Sequence, residues 1–109
     1  MRKPSTPLQR AAHDPATSPD RLHELTQLPG DRGDGSRDAG WCREFVAANP
    51  SASAATLAEL AADSNDWAVR TEVEANPSTP NDVLETLTRD RFSWIARSAR
   101  ENLRLHTRP

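Results

Sequence analysis

Asn49-Pro50 and Asn76-Pro77 stand 27 residues apart, and the residues after each pair keep the same interval. Leu57 and Leu60 are matched by Leu84 and Leu87, Trp67 by Trp94, and Arg70 by Arg97. A unit this short cannot bury its own apolar face, so an internal repeat of this length forces neighbouring units to stack and share a core. The frame also extends backwards. Leu22 and Leu25 stand seven and ten residues after Pro15, as Leu57 and Leu60 do after Pro50 and Leu84 and Leu87 after Pro77. Leucines three apart lie on one face of a helix, not of a strand. The expected fold is therefore all-α, a short solenoid of about three two-helix repeats over residues 14–48, 49–75 and 76–103. Residues 1–10 form an N-terminal entry or cap, and 11–109 the repeat domain.

Cap chemistry marks the helix starts. Ser18-Pro19 pairs an N-cap with proline at the first helical position, Ser53 caps the second long helix, and Thr79-Pro80, with Asp82 three residues on, opens the third. Trp41 to Ala48 reads as a short return helix with Cys42, Phe45 and Val46 on its apolar side. Trp67 begins the next return helix and Ser93 caps the last, in which Ile95, Ala99 and Leu103 fall on one face at spacing four. All four glycines fall in residues 29–40, among alternating charges. The first unit is eight residues longer between its second leucine and its arginine than the second unit is, so 29–40 reads as an inserted flexible loop. In the last unit Leu103-Arg104 stands where Asn-Pro would be, and the array stops there.

Composition excludes several classes. Apolar residues make up 35% of the 109, enough for one small domain with a shared core. Mean hydropathy is −0.79, and no run approaches a membrane span. The basic start has no apolar segment behind it, so a cytoplasmic setting is expected. That setting also makes an adhesion role for Arg32-Gly33-Asp34 untenable. A single cysteine, Cys42, allows no internal disulfide and no cysteine-based metal site. The three histidines show no metal spacing, and neither a phosphate loop nor a catalytic triad is present, so the reading is non-enzymatic, without cofactor or metal. Net charge is −2 but uneven: residues 46–88 hold seven acids against Arg70, and residues 89–109 hold six arginines against Asp90 and Glu101.

The segments Val46-Ala47-Ala48-Asn49-Pro50-Ser51 and Val73-Glu74-Ala75-Asn76-Pro77-Ser78-Thr79-Pro80, with Ala61-Ala62-Asp63 and Val69-Arg70, resemble the leucine-rich repeat variant family. The resemblance covers about residues 11–103 and is looser in the first unit, where Asp14 replaces asparagine. It implies a right-handed α-superhelix, akin to armadillo and HEAT arrays, with no strand horseshoe and no catalytic residues in the repeats. An iron–sulfur module known in the family does not carry over to a chain with Cys42 alone.

Two sets of residues carry the functional expectation. Arg43, Arg70 and Arg97 recur at the repeat interval, as do Asp63 and Asp90, which suggests a structural ladder of guanidinium–carboxylate contacts between units. The competing reading is an anion-binding arginine row. Trp67 and Trp94, with Arg89, Arg91, Arg100 and Arg104 at the basic end, are the candidate partner-binding residues. The expected function is a protein–protein interaction module. The alternative is nucleic-acid association through the basic end, against which the acidic middle counts. No membrane partner is expected.

Overall fold

The computed structural model describes residues 3–30, 37–62 and 66–106, with backbone only at Arg37 and His106. Seven helices are formed: α1 (Pro7–His13), α2 (Pro19–Thr26), α3 (Arg37–Ala48), α4 (Ala54–Ala61), α5 (Trp67–Ala75), α6 (Asn81–Leu87) and α7 (Ser93–His106). No strand occurs among the described residues. No helix among them is long and apolar enough to cross a membrane. Helices α1, α3, α5 and α7 pack on one another in succession, while α2, α4 and α6 each pack on the helix that comes after them, and α4 also meets α6.

The six leucines that define the frame are all buried, together with Val69, Val73, Phe45, Ile95 and Cys42. Ser18 accepts from the Arg21 N–H and Ser53 from the Thr56 N–H, each satisfying an orphan donor at a helix start. The third start differs from expectation. Pro80 occupies the cap position of α6, and the Thr79 hydroxyl instead donates to the Val73 carbonyl at 2.6 Å, as Thr17 does to Ala11. Likewise α7 already includes Ser93, and the Asp90 carboxylate accepts from the Phe92 N–H just ahead of it. Gly30, with φ of 104°, turns the chain after α2 in a conformation that favours glycine.

The helix after the inserted segment begins at Arg37 rather than Trp41, so the expected loop 29–40 is too long at its C-terminal end. Ala39 and Gly40 are buried, and Asp38 accepts from the Thr6 hydroxyl and the Gln9 amide of α1. Residues 31–36 of that segment lie outside the described residues.

The Asn-Pro turns are bonded sideways. The Asn76 side-chain amide donates to the carbonyls of Ala47 (2.8 Å) and Asn49 (3.0 Å), while its oxygen accepts from the Ser78 N–H. Asn49 repeats this on Ala12 and Asp14, with its oxygen on the Ser51 N–H. Ser51 and Ser78 hydroxyls donate to the carbonyls of Pro15 and Pro50. Ala12 and Ala47 are penultimate residues of α1 and α3, so each amide caps the end of the helix before it, where intrahelical donors run out. Glu74 is the penultimate residue of α5, and its carbonyl receives the amide of Asn102, at 3.1 Å. Asn102 lies one residue short of the expected asparagine position, on a helix that continues past it. The same amide also donates to the Glu74 carboxylate, and burial raises that carboxyl above its ordinary range.

Candidate binding site

Helices α5 and α7 start side by side on one edge of the molecule. Asp66 caps α5 by accepting from the N–H groups of Ala68 and Val69, which fixes the direction of the chain at Trp67. Trp67 and Trp94 therefore emerge at equivalent points, and their rings meet edge-to-face with centroids 5.6 Å apart. They remain 53% and 44% exposed, a large apolar area for a molecule this small. Phe92 backs them, 6.0 Å from Trp94, with the guanidinium of Arg91 at 5.3 Å and that of Arg70 at 5.7 Å from its ring.

Beneath the aromatic pair lies a nearly buried ion pair. Arg70 Nε donates to Asp90 Oδ2 at 2.6 Å, linking α5 to the turn before α7. Burial pushes the Asp90 carboxyl up. The Arg70 hydrogen bond, the Phe92 N–H and the charges of Arg70 and Arg91 outweigh that, leaving it below the usual aspartate range. Of the ladder expected of Arg43, Arg70, Arg97, Asp63 and Asp90, this one pair is formed among the described residues. Asp63 lies outside the described residues, Arg43 is half-buried on α3, and Arg97 is exposed on α7.

The basic-end residues divide. Arg89 and Arg91 are exposed, and Arg91 stands at the aromatic edge over Phe92. Arg100 donates to the Thr88 carbonyl, and Arg104 pairs with Glu101 one helical turn away, so with Arg91 at least three of the four expected partner-binding arginines already have local contacts. His23 is less solvated than its sequence context suggests. It joins α2 to α4 through Thr56 at 2.9 Å and Glu59 at 3.5 Å. Cys42 is a packing group: burial and the Asp38 charge, opposed by Arg21 and Arg43, push its thiol up to about 11. Among the described residues no cluster of three His, Cys, Asp or Glu side chains could hold a metal.

Sequence reasoning missed Phe92 and Leu105. Phe92 is identifiable afterwards as the aromatic two residues before Trp94, and Leu105 as the apolar residue eleven after it, on the same face of α7. Comparison with protein-family models, with curated proteins and with solved structures found no match.

Proposed function

We propose that this chain is a non-catalytic helical-repeat module that binds another protein, built as a right-handed α-superhelix of the kind the leucine-rich repeat variant motifs imply. The exposed, mutually contacting Trp67–Trp94 pair carries this reading. Tryptophan offers a large rigid contact area at small entropic cost, and hot spots at protein interfaces are enriched in it and in arginine. Phe92 and the Arg70–Asp90 pair support the edge from below, so the anchors are held in place before a partner arrives. Nucleic acid is less favoured, because Arg104 is neutralised by Glu101 and the acidic middle of the chain opposes a long phosphate track.

The test is affinity capture from source-cell lysate at about 150 mM salt, where screening confines charge effects to ~8 Å. A protein retained by the wild type and lost by the Trp67→Ala/Trp94→Ala variant is the expected result. Capture indifferent to both tryptophans, or submicromolar duplex binding abolished by Arg100→Ala/Arg104→Ala, would overturn the reading.

A further inference from the structure

The packing of α7 on α5 shows what a face of this kind accepts. Helix α5 offers Trp67 and, one turn on, Arg70. The element laid against it answers with an aspartate and, four residues later, an aromatic: Asp90 takes the Arg70 guanidinium and Trp94 meets Trp67. Helix α7 presents the same two groups at the same spacing, Trp94 and Arg97, both exposed. Among the described residues no carboxylate lies against Arg97. Leu105, the third large apolar side chain exposed in the described residues, falls on the same face as Trp94, about 16 Å along the helix.

We infer that the outer face of α7 docks a helix of another protein that has an acidic residue in the turn just ahead of it and an aromatic one four positions after that residue, as Asp90 and Trp94 stand at the start of α7. Its carboxylate pairs with Arg97, its aromatic ring packs on Trp94, and an apolar residue further along covers Leu105. The inference rests on the protein-binding reading of the α5–α7 edge and names the chemistry of its partner. Charge favours it, since residues 89–109 carry four more positive than negative groups. A second copy of this chain is a poor occupant. Its own Asp90 and Trp94 are already taken by Arg70 and Trp67, and in its first unit, which would stack on this end, the equivalent positions hold Leu28 and Gly40, which offer neither a carboxylate nor a ring.

The probe is a fluorescently labelled amphipathic helical peptide opening Asp-x-x-x-Trp, with a twin carrying Lys in place of the Asp. Anisotropy is read against the full chain, with circular dichroism confirming that each variant is folded. Arg97→Glu is expected to weaken the Asp peptide at least about tenfold and to strengthen the Lys peptide, and Leu105→Ala to weaken both. Should Arg97→Glu not fold, Arg97→Gln is expected to give a smaller loss for the Asp peptide and no gain for its twin. Failure of wild type to prefer the Asp peptide overturns the inference, and so does an Arg97→Glu variant that binds it unchanged. Duplex DNA bound more tightly than either peptide overturns it as well. If lysate capture is lost in Trp67→Ala/Trp94→Ala but kept in Arg97→Glu, the acidic-helix partner fails while the docking edge stands. If both variants keep the capture, the docking edge itself fails.

Discussion

Replacing Asn76 with alanine removes three hydrogen bonds at one buried position: two from its amide to the Ala47 and Asn49 carbonyls, and one to its oxygen from the Ser78 N–H. At roughly 0.5–1.5 kcal/mol net for each, the direct loss is about 2–4 kcal/mol. The Asn49 carbonyl keeps the Ala52 N–H, but the Ala47 carbonyl, at a helix end, loses its side-chain cap, and a buried acceptor left short costs about 1 kcal/mol or more. The expected destabilisation is therefore about 3–5 kcal/mol, which in a domain of this size lowers Tm by roughly 12 °C or more. Asp14 provides the internal control. It forms the same turn, accepting from the Ala16 N–H, but as a carboxylate it has no N–H to offer a preceding unit. Asp14→Ala should cost only about 0.5–1.5 kcal/mol and Asp14→Asn nearly nothing. Urea denaturation monitored by far-ultraviolet circular dichroism measures all three. An Asn76→Ala variant no less stable than Asp14→Ala would refute the claim that the sideways amide bonds hold the turns together.

Leu84→Ala, at a fully buried site, should cost about 2–5 kcal/mol in the same denaturation experiment. Arg70→Ala leaves the Asp90 carboxylate buried without its guanidinium and should cost about 3–5 kcal/mol. Because the folded Asp90 titrates below its ordinary value of 3.8, its contribution is fully present above that value and fades as pH falls through the lower one. The gap between wild type and Asp90→Asn should therefore be constant at neutral pH and close only in acid, and a gap independent of pH down to about 2 would contradict the pairing. Glu72, raised by burial and by Glu44, and Glu74, raised by burial, titrate in the opposite sense, so the difference between variants must be read, not wild type alone. Replacing residues 31–36 with a short turn should leave the melting temperature nearly unchanged. Extending the cut through Asp38 removes the Thr6 and Gln9 contacts and should lower it clearly.

The leucine frame is legible in the sequence because periodicity and burial are the same fact seen twice: a residue that recurs three apart in a short unit has only the shared core to face. The start of α3 is not. Gly40 is a weak helix former and Asp38 follows a glycine-rich segment, and what fixes the start of α3 is its contact with α1 and its cap, where Thr6 and Gln9 bond to Asp38. Local propensity yields to a contact nearly thirty residues away in sequence. Leucine in place of asparagine at 103 reads as an ending. A helix that continues can present Asn102 to the same Glu74 carbonyl, a substitution visible only in three dimensions. The recurrence of Trp67 and Trp94 is readable, but that their rings touch and stay exposed depends on Asp66 and Phe92 setting the two helix starts.

The side-chain amides that cap α1 and α3 also bear on how the protein ages. Asparagine deamidates when the backbone nitrogen of the next residue attacks the side-chain carbonyl to close a succinimide ring. Asn49 and Asn76 precede Pro50 and Pro77, whose nitrogens carry no hydrogen and cannot open that route. Conversion to aspartate would replace a donor with an oxygen facing two carbonyls, so the turn proline shields the amide from the spontaneous change its surroundings tolerate least. Asn102 precedes Leu103 and lacks this shield. Of the three capping amides it is the one open to slow chemical loss, and its loss would loosen the contact between α7 and the end of α5 first.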